Sequence, residues 1–367
     1  MIIGLVVFIL YLYFFVGFNQ IFLVIEHLNA AEFTILYSLS ICAMLLVMFF
    51  WAVSWRTLLG RYSTKVSLKN AFLYYWVGYF SDLVIPGQGV CGEAARMYLV
   101  RKDTKDNYGI IAACGVTNRI VAYTVVTGGL TAGLVYLLTT SVFPQLPAYV
   151  LYILLIAWIG SVIHIGALLY LALSDSAVKK IAALIFKVLK FFRMKKYTSE
   201  ENMKKTYESL GRFHEGSLFF RKNPRALLKP FGFQILSYVL SITIYALILS
   251  TLGITSGFIE FFILIYFLAG AIQDASAVFS VGALEIILTS IIVGVYGSAP
   301  ATSGLVVATL RSITFWFPVV VGYIIIQVIG ARSIIASRAC ADKAIGEVES
   351  KEKELGPLRK TRGVQGK

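Results

Sequence analysis

The sequence predicts an all-α polytopic membrane protein with about six full spans and two re-entrant helical hairpins related as an inverted repeat. Three observations predict it. The 367 residues are 58% hydrophobic and their mean hydropathy is +0.80, whereas soluble domains hold roughly 45–50% apolar residues. Several apolar runs exceed the roughly 18 residues that cross a bilayer core. The basic residues fall between those runs and sort the connecting segments into two sides.

Residues 2–25 give the first span and 33–55 the second. The first run lacks a basic n-region, so it is expected to stay as a span and not to be cleaved as a signal peptide. The linker after the second span carries Arg56, Arg61, Lys65 and Lys69 and no acid. The linker before it carries Glu26 and Glu32 and no Lys or Arg. Lys and Arg mark the cytoplasmic side. The N-terminus is therefore expected inside, residues 26–32 outside and 56–69 inside.

Residues 70–100 begin and end on basic flanks. The apolar "AFLYYWVGYF" is too short to cross, the turn Pro86-Gly87-Gln88-Gly89 breaks it, and Arg96, Arg101, Lys102 and Lys105 follow. A segment whose two flanks lie on one side goes in, turns and returns. Irregular backbone at that depth is tolerated only inside protein or beside a wet cavity. Residues 108–138 cross outward, 148–173 back, 230–252 outward and 303–329 inward. Residues 258–296 hold two apolar pieces around "DASAVFSVGALE" with no basic flank. They read as a second hairpin, entered from outside.

Of the 33 Lys and Arg residues, 31 fall on segments assigned inside and none outside; Arg119 and Arg311 lie within spans. The expectation is one transmembrane domain over 1–335, with repeat halves at about 33–138 and 229–329. Residues 336–367 are a polar cytoplasmic tail. The protein is placed in the cell membrane as a multi-pass protein with both termini cytoplasmic.

The net charge of +14 follows from this positive-inside bias, so no nucleic-acid partner is expected. Cys42, Cys91, Cys114 and Cys340 show no metal or disulfide spacing, and His27, His164 and His214 belong to no ligating motif. No metal or cofactor is expected. Residues 174–229 hold fourteen Lys or Arg and five acids. Within them Ile181, Leu184, Ile185, Val188 and Phe192 share one helical face, with Lys179, Lys187 and Lys190 on another. Residues 176–196 are thus an amphipathic helix, either drawn to anionic inner-leaflet lipid or packed on the bundle. Homo-oligomer formation is left open.

The in-membrane charges repeat. Asp82, Glu93 and Arg119 are spaced by 11 and 26, and so are Asp274, Glu285 and Arg311; one offset of 192 aligns all three pairs. It also aligns Tyr74 with Tyr266, Gly78 with Gly270 and Thr117 with Thr309. Hairpins entering from opposite sides make an inverted repeat, an arrangement of transporters whose substrate site lies at the repeat interface.

A charge at the bilayer centre costs about 2.5–3.5 kcal/mol. Six unpaired charges, at about 15–20 kcal/mol together, exceed the net stability of roughly 5–15 kcal/mol. They must pair, reach water or stand near an interface. Ion pairs locking hairpins to spans would satisfy them without a ligand. The functional alternative is a hydrated cavity in which arginine forks bind an anionic head group. Its site would be Glu93, Arg119, Glu285 and Arg311, supported by Asp82 and Asp274. Gly87 and Gly89 serve the turn, and Tyr74, Tyr75, Trp76 and Tyr79 serve packing or the interface.

"IPGQGVCGEAARMYLVRK" resembles the Pro-Gly, Gly-Glu, Arg pattern of the flippase-like family, also called the lysylphosphatidylglycerol synthase transmembrane region. "TNRIVAY" resembles its Glu-Arg segment. "SVGALEIILTSIIVGV" followed by "LRSITFWFPVVVGY" resembles its second hairpin, then Arg, an aromatic pair and Pro. The resemblance covers roughly residues 1–335. It implies a lipid translocase fold acting on aminoacylated phospholipid or polyprenyl-phosphate-linked sugars. The second hairpin reads Phe279-Ser280-Val281-Gly282 in place of Pro-Gly-Gly, so a looser turn is expected. Asn118 stands where the family often has an acid, so Arg119 is expected to lack a local partner. No aminoacyl-transferase domain follows residue 335, so a complete lipid-aminoacylating synthase is not expected. The leading expectation is a non-enzymatic lipid flippase with membrane lipid as partner. An enzyme on lipid phosphate, for which no nucleophile or metal cluster is found, and a non-transporting scaffold are the alternatives.

Overall fold

The computed structural model describes residues 10, 13, 23, 26, 29–62, 64–85, 90–139, 148–191, 200–251 and 283–330. Most of the expected span 2–25, the turn Pro86–Gly89, residues 252–282 with Asp274 and the second turn, and residues 331–367 lie outside them. Among the described residues there is helix and no strand. Five helices among the described residues are long and apolar enough to cross a membrane: Ala30–Arg61, Tyr108–Thr139, Leu151–Leu173, Pro224–Thr251 and Pro300–Gly330. They coincide with five of the expected spans.

Helix α1 (Ala30–Arg61) starts where Asn29 accepts from the N–H groups of Ala31 and Glu32. Glu32 in its first turn and Arg61 in its last complement the helix dipole. Helix α2 (Leu68–Val84) starts where Ser67 accepts from the Asn70 N–H at 3.1 Å. It stops at Ile85, whose extended backbone is the conformation that a following proline imposes. Helix α3 (Val90–Thr104) packs back along α2. Lys105, at φ +62°, ends it.

Helix α4 (Tyr108–Thr139) starts where Asn107 Oδ1 accepts from the Gly109 N–H at 2.8 Å. Helix α5 (Ala148–Leu173) packs along α4. Helices α6 (Asp175–Phe191) and α7 (Glu200–Lys222) follow. A short 3-10 turn, Pro224–Leu227, leads into α8 (Leu228–Thr251). Helix α9 (Ala283–Tyr296) precedes α10 (Pro300–Arg311), which opens with proline at its first position and runs into a π-helical turn, Ser312–Trp316.

Two compact units divide the chain, residues 1–319 and 320–367. In the first, α8 lies along α1, and both border α4. Val126, Leu130, Leu134 and Leu137 of α4 bury themselves against Leu154 of α5 and Tyr238 of α8. The described part of the second unit, 320–330, is helical.

The polar segment 174–229 is more than a surface ribbon. A Cβ on Gly109 of α4 would collide with the Ser209 carbonyl of α7, and one on Gly216 would lie 2.7 Å from the Ala113 Cβ. Small residues on both helices therefore let the backbones nearly touch. Val178 of α6 joins Ala113 and Phe213 in one buried cluster. Helix α6 thus packs Ala177, Val178, Ala182 and Phe186 inward. The side chains of Ile181, Leu184, Ile185, Val188 and Phe192 lie outside the described ones. Lys179 points to solvent and pairs with Asp175 at 2.5 Å.

Candidate functional site

Asp82 leaves the last turn of α2 and folds across the break. Its Oδ1 accepts from the Gly92 N–H at 2.7 Å, satisfying a backbone donor in the first turn of α3 that has no intrahelical acceptor. The same carboxylate lies 3.7 Å from Arg96 Nη2. A Cβ on Gly92 would strike both the Asp82 carboxylate and the Gly78 carbonyl. Only glycine allows α2 and α3 to meet this closely. Asp82 is therefore the staple of the helix pair.

Glu93 stands one residue further on and gathers two arginines on one oxygen. Arg96 Nη2 donates to Oε1 at 2.9 Å and Arg119 Nε, from α4, donates to it at 3.1 Å. Oε2 is buried without a hydrogen-bond donor. It lies where a Cβ on Gly115 would come within 2.8 Å. Asp82, Glu93, Arg96 and Arg119 together carry two negative and two positive charges, so the cluster is neutral.

Arg96 is the residue that the sequence reading missed. Counted there among the basic flank of the hairpin, it is 4% exposed. Its aliphatic stem runs over Gly78, where a Cβ would sit 2.7 Å from its Cγ. Its guanidinium lies 4.5 Å over the Tyr75 ring, a favourable cation–π arrangement. Tyr75 is held in turn by Trp51 and Trp55 of α1. The signal available in the sequence was the i,i+3 spacing from Glu93.

Asn118 gives Arg119 no acid beside it in the chain, and Glu93, from another helix, accepts from its Nε instead. Asn118 does different work. Its Oδ1 accepts from Ser54 Oγ at 2.8 Å and from Gln234 Nε2 at 3.3 Å. All three side chains are buried, so they tie α4 to α1 and α8 in the core.

The second half presents a matching pair. Arg311 Nε donates to Glu285 Oε1 at 2.7 Å, with side-chain exposures of 6% and 2%. The Arg311 guanidinium lies 4.5 Å over Phe315, which belongs to the π-helical turn. Tyr37 of α1 bonds Ser312 Oγ at 2.9 Å, and Tyr79 of α2 donates to the Thr314 carbonyl at 3.5 Å. Such π-turns often mark functional positions. Here the turn brings α2, which carries Asp82, against the backbone that follows Arg311. Asp274 lies outside the described residues.

Among the expected packing aromatics, Tyr74, Tyr75 and Trp76 are buried. Tyr74 donates to Asp103, which also accepts from Asn70 at 2.9 Å, closing the open end of the α2–α3 pair. Among the described residues, no group of three His, Cys, Asp or Glu side chains is placed to hold a metal ion.

Spanning helices and buried, paired charges define an all-helical, multi-pass membrane protein with a polar site built inside its bundle. Residues 1–322 match the lysylphosphatidylglycerol synthase TM region family, and the chain belongs to that family. Neither curated proteins nor solved structures give a match.

Proposed function

We propose that the protein moves a phosphate-containing lipid head group between leaflets, as a flippase-like transporter and not as an enzyme. The aminoacyl-phospholipid and polyprenyl-phosphate-sugar classes are the substrates this reading favours. The observation that carries it is the pair of matched arginine–glutamate contacts, Arg119 to Glu93 and Arg311 to Glu285, each closed across 26 residues. Membership of the family supports a lipid-related role.

The chemistry is one of exchange. A buried guanidinium cannot be left bare in a membrane. A phosphate oxygen can replace the carboxylate on it, because the planar fork accepts either anion. Arg119 and Arg311 would take the head group in opposed access states, with Glu93 and Glu285 receiving them back. Asp82 and Asp274 support the two hairpins. In this reading the α2–α3 pair and the segment around 258–296 are re-entrant hairpins of an inverted repeat, entered from opposite sides. The protein lies in the cell membrane with both termini cytoplasmic, and α6 lies near anionic inner-leaflet lipid.

Reconstitution tests the proposal. A head-group-labelled phosphatidylglycerol is placed in proteoliposomes and followed for loss of protection from an impermeant quencher, with its mass checked afterwards. Exchange with unchanged mass supports transport. A changed mass indicates an enzyme on lipid phosphate. Neither change indicates a scaffold.

A further inference from the structure

The proposed exchange leaves one charge to account for. When Arg119 turns to a phosphate, Glu93 stays behind, and an unpaired, largely buried carboxylate opposes the release. The geometry around Glu93 answers this. Its Oε1 is shared by Arg96 Nη2 at 2.9 Å and Arg119 Nε at 3.1 Å. The two arginines are held differently. Arg96 has a side chain 5% exposed and lies between Gly78 and the Tyr75 ring, with Asp82 3.7 Å away. Arg119 has a side chain 20% exposed and comes from a different helix.

Resting on the reading above, we infer that Arg96 is a fixed counter-charge that keeps Glu93 neutralised while Arg119 exchanges it for the phosphate group of a lipid. Arg96 is a positioning residue: it acts on the phosphate through Glu93 and Arg119. Its buried Nε has no hydrogen-bond partner, so its hold on the carboxylate runs through Nη2 and can tighten when Arg119 departs. The residue 192 positions on is Leu288, itself buried. The second half therefore has no arginine at the matching position, and the two halves are unequal.

The test uses the full chain in detergent and dihexanoyl phosphatidic acid as the probe, with affinity measured by calorimetry and folded yield by size exclusion. Arg96→Gln is expected to weaken binding by about tenfold or more, because Glu93 now depends on Arg119 and holds it. Arg96→Lys keeps the charge and should stay within about threefold of the parent, the fork being lost but the counter-charge retained. Adding Glu93→Gln to Arg96→Gln removes the acid that holds Arg119 and should restore most of the affinity. A merely structural pair would recover folded yield in the double variant, so affinity is compared at equal folded protein, where a structural role would not move it. If Arg96→Gln does not fold, the double variant and Arg96→Lys carry the test. Parent-like binding by Arg96→Gln, or loss of binding in a folded double variant, overturns the inference. If Arg119→Gln loses binding in that same experiment, the head-group reading stands without it. Parent-like binding by Arg119→Gln, or no binding by the parent, overturns both.

Discussion

Arg311 reaches back 26 residues to Glu285 and closes on it Nε to Oε1 at 2.7 Å, with almost no exposure of either side chain. A buried pair of this kind is costly to break on one side, because the remaining charge stays in a medium that cannot solvate it. Removing one partner of a buried pair costs about 3–5 kcal/mol. Glu285→Gln and Arg311→Gln are each expected to lose stability in that range. The double variant should fall short of the sum by about 1–3 kcal/mol. Thermal unfolding in detergent reads all three. Strictly additive losses would mean that the two side chains do not depend on each other.

The contact between α2 and α3 rests on a missing side chain. Gly92→Ala puts a methyl group against the Gly78 carbonyl and the Asp82 carboxylate at once, and backbone cannot give way as a flexible side chain can. Folded yield should fall sharply, by about 1–3 kcal/mol of lost stability. Gly60→Ala, where the space is open, is the control and should be neutral or better, since alanine favours helix by about 0.8–1 kcal/mol. Equal yields from the two variants would contradict the packing described.

Much of this fold was legible in the apolar runs, because a membrane demands long, uncharged helices and the sequence has to declare them. The matched spacing of Glu93 with Arg119 and of Glu285 with Arg311 was legible for the same reason: in-membrane charges are rare enough to be seen against the background. Arg96 was not. It lies near Arg101, Lys102 and Lys105 in the chain, and nothing local separates a solvated arginine from a buried one. The difference is made by Gly78 and Tyr75 on another helix, which provide the slot and the ring. Arg119 is the opposite case: Asn118 offers it no acid along the chain, and Glu93, 26 residues earlier, supplies the contact from α3. The closeness of α7 to α4 depends on Gly109 meeting Ser209 and Gly216 meeting Ala113, and small residues by themselves do not announce which helix they face.

The network of Ser54, Asn118 and Gln234 predicts a stability effect without a charge. Asn118→Ala removes the shared acceptor and leaves a buried hydroxyl and a buried amide short of a partner. The expected cost is about 1–3 kcal/mol. Ser54→Ala in the same background should add less than it does alone, because its main acceptor is already gone. Calorimetric unfolding checks both. Full additivity would place the two residues in separate environments.

The charge map predicts that the two breaks face opposite sides of the membrane. Single cysteines near Gln88 and near Ser280, in a chain without its native cysteines, should react with impermeant thiol reagents from opposite faces of oriented vesicles. The first is expected to be reached from the side that holds Arg56 and Lys65, following the bias of basic residues toward the cytoplasm. Labelling of both positions from one face alone would exclude the inverted arrangement.

Arg311 separates binding from movement. Arg311→Lys keeps a positive charge beside Glu285 but loses the planar fork that, under the proposed function, would receive a phosphate through two parallel bonds. The helix should therefore still form, and folded yield should stay close to that of the parent. Dihexanoyl phosphatidic acid binding in detergent should change by no more than about threefold, because Glu93, Arg96 and Arg119 are untouched and distant substitutions act independently. Leaflet exchange of labelled phosphatidylglycerol in proteoliposomes should nevertheless fall by about tenfold or more, because the head group then finds no matching fork in the second half. Arg311→Gln should lose exchange as well, and it should also lose stability, since Glu285 is left buried without its arginine. Parent-like exchange by folded Arg311→Lys would reduce Arg311 to a structural partner of Glu285. An equal fall in binding and exchange would mean instead that both arginines meet the phosphate in a single state, with no alternation between the halves.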